Sequence, residues 1–259
     1  MLEVGGEHLD YLAFHNMFSA GSRDERSPLK GIEYRKDPAR TWEHLMNACR
    51  EPEAKMQAMR EQVAGYEVPL ALTECHFALP GRNRCKVLSS WAAGVANARI
   101  LNVHEQNGDI LKIATLADFC GTRWQVNAIM IPSLRGKPYM MPVARVMSLY
   151  RKHTGQKAID VTATPNGLDV TASRTSDRVH LHVVNTNRTR SVATRLEVDG
   201  MTIQSGRVSE IATDPEFEVM ETCSEVLSPI HRDIAEDRYC TFPAASVSAV
   251  ELTVLGQTE

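Results

Sequence analysis

The chain is poor in the features that mark specialised surfaces or stapled folds. Its six cysteines, at positions 49, 75, 85, 120, 223 and 240, are scattered, with no C-x-x-C pair and no metal-finger spacing. That excludes a disulfide framework and a zinc ribbon, and predicts reduced, mostly buried thiols with no metal or other cofactor implied. Charge of one sign is also missing: a net charge of −3 gives no electrostatic reason to expect nucleic acid or an anionic membrane as a partner. No apolar run approaches the roughly 18–20 residues needed to span a bilayer. The start, Met1 to His8, lacks the basic segment and apolar core of a secretory signal. Taken as the natural start, it predicts a cytoplasmic chain. There is no internal repeat and no low-complexity tract, and the one sequon, Asn187-Arg-Thr189, decides nothing.

What is present is an ordinary soluble composition, 43% hydrophobic and 24% charged over 259 residues, enough for one large domain or two ordinary ones. The pattern changes near residue 155. Before it, helical periodicity alternates with short apolar runs. Residues 9–15 read as a buried strand and 19–40 as a long loop. Residues 42–66 read as two helical pieces around Pro52, or a second helix with Pro52 in its first turn, stopped by Gly65. Strands follow at 68–73 and 126–131, and helices at 86–104, 109–120 and 138–153, with Asp109 suited to a first turn. This order predicts parallel β/α units. After residue 155, short alternating strands at 158–163, 167–173, 178–184, 191–198 and 244–254 predict an antiparallel β-sandwich. Within it, Val179, Leu181 and Val183 would face the core, and His180 and His182 the solvent.

Glu74 is the most informative residue. It ends the apolar run from Val68 to Thr73 and precedes Cys75-His76-Phe77. A buried parallel strand that ends in a carboxylate is how a (β/α) barrel presents a catalytic group at its C-terminal mouth; a solvated loop glutamate is the plainer reading. His15, at the end of its own strand, reads either as a hydrogen-bond donor to substrate or to Glu74, or as a satisfied strand-end histidine. His76, just past Glu74, either lines a cleft or is an ordinary loop histidine. His104-Glu105 suits a helix end, where a histidine meets the macrodipole. Met46, Met56, Met59 and Met140-Met141 read as core filler.

Four places in order resemble glycoside hydrolase family 51, the retaining α-L-arabinofuranosidases. Asp10-Tyr-Leu-Ala-Phe-His15 is similar to the sixth barrel strand, and Leu70-Ala-Leu-Thr-Glu74 to the seventh, which carries the nucleophile. The segment from Asp109 to Asp118 with Val126-Asn127 is similar to the approach to the eighth strand. Pro138-Tyr139 with Thr154-Gly155 resembles the last barrel helix, and Phe242-Pro243 with Ser246-Val247 the terminal sandwich strand. The resemblance implies an incomplete TIM-type barrel over 1–155, strands six to eight, followed by a β-sandwich over 156–259. It implies a hydrolase acting on terminal arabinofuranosyl groups of an arabinose-containing oligosaccharide or polysaccharide. Glu74 takes the nucleophile position, with His15, Asn16 and His76 as substrate-binding candidates.

The departures are specific. The family's acid/base glutamate follows an asparagine, and this chain has no Asn-Glu pair. Cys75 stands where the family has tryptophan after the nucleophile, Asn16-Met17 where it has aromatic residues, and an apolar residue near Met130 where it has a sugar-contacting glutamine. Strands one to five have no counterpart, and closure requires roughly eight strands. The favoured expectation is therefore a fragment inactive alone; a chain paired with a complementing N-terminal chain and a decayed remnant are the alternatives, and a homo-oligomer is a further partner state. The alternatives in function are a non-catalytic carbohydrate-binding or structural remnant, and another retaining glycosidase of the same plan. Against a binding module, residues from 156 onward contain only Phe217, Tyr239 and Phe242 as aromatics and no tryptophan.

Overall fold

The computed structural model describes residues 2–80, 85–132 and 136–256. In chain order its elements are α1 (Leu2–Gly5), β1 (Leu12–Phe18), α2 (Pro38–Met46), α3 (Arg50–Val63), β2 (Leu70–Phe77), α4 (Trp91–Gln106), β3 (Leu111–Ala114), β4 (Asp118–Gly121), β5 (Asn127–Met130), β6 (Tyr139–Met140) and α5 (Pro142–Lys152). Then come β7 (Lys157–Ile159), β8 (Leu168–Thr175), β9 (Arg178–Asn185), β10 (Val192–Arg195), β11 (Met201–Ala212), β12 (Ile230–Asp233), β13 (Tyr239–Phe242) and β14 (Ser246–Gly256). Among the described residues, no helix is long and apolar enough to cross a membrane.

The first part is mixed α/β. β1, β2 and β3 form a three-stranded sheet in that order, with both neighbouring pairs parallel. The helices that link them pack on one side. α2 starts where Asp37 caps it through Arg40 N and Pro38 pre-sets the first turn. Pro52 lies in the first turn of α3, after a 3-10 turn at Asn47–Cys49. Met46, Met56 and Met59 are buried beneath these helices, as filler. Residues 19–40 are mostly turns, although Glu33–Arg35 winds into a 3-10 turn and Pro38 already belongs to α2.

Several boundaries differ from the sequence reading. β1 runs three residues past His15 and β2 three past Glu74, so both residues sit within their strands rather than at strand ends. The expected helix over 109–120 is not formed. Leu111–Ala114 is instead the third parallel strand, with Leu70 N donating to Ile110 O and Thr115 N to Leu72 O. The 3.6-residue spacing of Ile110, Ile113, Ala114 and Ala117 misleads, because Ile110, Ile113 and Thr115 are β-branched and follow a Gly108-Asp109 turn. Asp109 caps no helix; it pairs with Arg60 of α3, which holds its carboxyl below the usual range. The strand expected at 126–131 forms as β5 but joins a separate sheet, parallel to β4 and antiparallel to β6. The last helix begins at Pro142, and Tyr139–Met140 is strand.

The second part is dominated by a six-stranded sheet, β12-β11-β14-β9-β8-β7, whose adjacent pairs are all antiparallel. β10 and β13 pair as a second, two-stranded layer. Between the layers lies a cluster including Val179, Val183, Leu196, Val208, Phe242, Val250 and Leu252. The long strand β11 was not foreseen. Its middle reads Gln204-Ser-Gly-Arg207, too polar to show as a buried strand, and it carries a bulge between Ile203 and Ser205.

The other face of this sheet is covered by α4 and α5, which overturns the solvent-facing reading of His180 and His182: both are buried. His182 Nδ1 is 2.8 Å from Glu105 Oε2, Thr171 donates to the same oxygen at 2.6 Å, and the Tyr150 ring stacks on His182. Arg99 pairs with Asp169 at 2.7 Å, and the Trp91 indole donates to Ala245 O at 2.6 Å. All six cysteines are free; four are buried, Cys223 is half-buried and Cys120 is exposed.

Candidate functional site

The site is built on β2, the middle strand of the parallel sheet. Pairing with β1 sets Leu72 beside Phe14 but Glu74 beside His15, leaving Thr73 without a partner. This bulge re-aims the strand. In a regular strand Leu72 and Glu74 would share one face. Here Leu72 follows Phe14 into the core, and Glu74 follows His15 outward. β1 alternates without interruption: Phe14, Asn16 and Phe18 are buried, whereas Ala13, His15 and Met17 are exposed.

On the exposed face, Glu74 is held by a histidine on each side. Oε2 lies 3.2 Å from His15 Nδ1, and Oε1 lies 3.2 Å from His76 Nε2. His76 is itself buried, with Nδ1 3.0 Å from Phe77 O. A carbonyl can only accept, so Nδ1 carries the proton and Nε2 is the atom turned toward the carboxylate. Asp118 completes the group from the start of β4. One oxygen each of Glu74 and Asp118 and one ring nitrogen of His76 lie within 4.8 Å of one another. Asp118 arrives there because Ala117 adopts φ 71° while its N–H donates to Cys75 O at 2.7 Å, turning the chain from β3 into β4.

The structure thus brings together Glu74, His15 and His76. It does not bring Asn16 to them: Asn16 points to the buried face, level with Cys75. Asp118 was missed as a site residue because a helix was expected across it; the β-branched spacing before it was the available signal. Cys75 faces the helices, 3.9 Å from His104 Nε2 of α4. Burial pushes its thiol up to about 12 and pushes His104 down to about 4. The two are therefore a neutral packing contact and not a thiolate–imidazolium pair.

Glu74 stands on an open face and not in a cleft. Its side chain is 38% exposed and that of His15 53%. Hydrophobic groups are left uncovered nearby in the chain and sheet: Met17, Ile113, Phe119 and Trp124 are all exposed. A concavity of about 770 Å³ lies elsewhere, between α3, α4 and β8, and one of about 680 Å³ lies between α4, α5 and β8; Glu74 lines neither. Size does not identify the site here, because both are gaps between the helices and the antiparallel sheet.

No protein-family model matches the chain, and no curated protein sequence matches it. Solved structures do. The family 51 arabinofuranosidase from Xanthomonas axonopodis pv. citri superposes with a TM-score of 0.72 at 14% identity, covering 98% of this chain and 55% of that enzyme. The α-L-arabinofuranosidase from Thermotoga maritima in complex with arabinose gives 0.64 at 18% identity, covering 97% and 54%. A family 44 xyloglucanase from Paenibacillus polymyxa gives 0.61 at 17%, covering 97% and 48%. The chain spans about half the length of the solved enzymes it matches. Its fold, over nearly its whole length, is one that family 51 arabinofuranosidases contain.

Proposed function

We propose that this chain is the C-terminal portion of a retaining glycoside hydrolase of the arabinofuranosidase type, with Glu74 as nucleophile and a proton donor supplied by strands outside it. In this reading β1, β2 and β3 are the last part of a (β/α) barrel, residues 1–155 its remnant, and residues 156–259 the terminal sandwich. The observation that carries the proposal is the bulged pairing that sets the Glu74 carboxylate beside His15 on the uncovered face of a parallel sheet. Such a face is what a barrel interior looks like with its far wall removed.

Retaining hydrolysis needs two carboxyl groups about 5–5.5 Å apart. Glu74 attacks the anomeric carbon; the bond to the leaving oxygen breaks as the second group protonates it. His15 and His76 flank the Glu74 carboxylate, one at each oxygen. The second group later acts as base on water, to release the sugar. Without it, a substrate whose leaving group needs no proton can still transfer its sugar to Glu74, but the adduct then persists.

The test is intact-mass analysis of the chain with 2,4-dinitrophenyl α-L-arabinofuranoside. One pentosyl group on Glu74, absent in Glu74→Gln, with no steady turnover of an alkyl arabinofuranoside, is the expected result. Steady turnover by the chain alone would overturn the missing-donor reading, and no adduct would overturn the nucleophile.

A further inference from the structure

We propose that Glu74, His76 and Asp118 form a binding site for a divalent first-row transition ion, zinc being the probe of choice, on the open face of the parallel sheet. The inference deepens the reading of Glu74 above by giving the same carboxylate a second ligand class. It rests on ligand geometry and not on the sugar chemistry.

Three observations carry it. The donor set is mixed, one imidazole and two carboxylates on three different positions of two strands, a combination suited to zinc and its neighbours and not only to calcium or magnesium. His76 is buried and fixed: Nδ1 donates to Phe77 O, which leaves Nε2 directed at the shared space. That outer hydrogen bond is the arrangement that orients a metal-ligating histidine. Finally, His15 engages the other oxygen of Glu74, freeing Oε1 to face the centre, so the first carboxylate has an outer partner as well.

The distances are compatible. Ligand atoms about 2.0–2.2 Å from a zinc ion stand roughly 3.4 Å apart at the corners of a tetrahedron. His76 Nε2 and Glu74 Oε1 are already 3.2 Å apart, and the whole set lies within 4.8 Å. Asp118 closes the remainder by side-chain rotation; it is half-buried and sits beside the Ala117 turn. The fourth position faces solvent. A bound ion there also occupies the oxygen that would attack an anomeric carbon, so metal and sugar transfer compete for Glu74.

The experiment is calorimetric titration of the full 259-residue chain, first stripped with chelator, with zinc chloride, repeated by absorption with cobalt(II). The expected result is one ion per chain, with affinity falling about tenfold or more in Glu74→Gln and in Asp118→Asn, and about tenfold in His15→Ala, which removes only the outer partner. Circular dichroism confirms that each variant is folded; His76→Gln is read only if it passes. Because Cys120 is exposed on β4, a sulfur-to-cobalt charge-transfer band would assign binding to that thiol and overturn the proposal. So would absent binding, or binding unchanged in both Glu74→Gln and Asp118→Asn. The pentosyl-transfer assay is read separately without metal, so either result can fail while the other stands.

Discussion

Of the glutamates that meet histidines among the described residues, Glu105 and Glu74 stand in opposite surroundings. Glu105 accepts from Thr171 and contacts His182 at 2.8 Å, under the stacked Tyr150 ring, where α4 and α5 close over the antiparallel sheet. Glu74 contacts His15 and His76 at 3.2 Å at a place where its own side chain stays 38% exposed and that of His15 53%. The first set is enclosed between the helices and the sheet and ties the two layers together. The second keeps accessible oxygens and contributes little to holding the fold. Similar residue chemistry therefore yields an enclosed structural contact in one place and an accessible carboxylate in the other, and the covering layer decides which.

The largest expected effect on stability comes from breaking the sealed junction at its centre. Trp91→Ala removes a fully buried indole and its bond to Ala245 O. It should cost about 3–5 kcal/mol in urea denaturation. Glu105→Gln should cost about 2 kcal/mol, since His182 and Thr171 lose a charged acceptor in a site that keeps partial solvent access.

Acid should weaken the packing on both sides of α4, against the parallel strand β2 at His104 and near the antiparallel sheet at His153 and His180. Burial lowers His104 to about 4 and also lowers His153 and His180, although Glu251 partly opposes the shift in the last two. A histidine with a depressed folded pKa leaves the unfolded chain binding more protons. Stability is therefore full above about pH 6.5 and declines as pH falls toward the folded value. Unfolding free energy at pH 5 should be lower than at pH 7 by about 2 kcal/mol from His104 alone. His104→Gln should flatten that slope. The smallest effect on stability should be that of Glu74→Gln, within about 0.5 kcal/mol. A large loss there would erase the contrast between the two glutamates.

Much of the parallel half was legible in the sequence. The runs into His15 and Glu74 located β1 and β2, and the ordered motifs brought Glu74, His15 and His76 to one place. Asp118 was hidden because residues 109–120 satisfy a helical pattern that β-branched composition and tertiary pairing override. Asn16 was misplaced because strand alternation sends it opposite to His15. The burial of His180 and His182 was invisible for another reason. Alternation along β9 separates two faces, but it does not tell that helices from an earlier part of the chain cover the polar one.

The unmatched threonine in β2 also bears on how the chain finds its native alignment. If the first two strands zipped evenly, Thr73 would sit across from His15, and the carboxylate would be forced inward against Asn16 under the helices. An ionised group there would lose its hydration, which makes the even alignment a poor competitor. Glu74 thus carries an instruction to the folding chain, whatever its chemistry: its aversion to the interior selects the staggered pairing. Glu74→Leu should blur that choice, leaving two alignments that differ by one step.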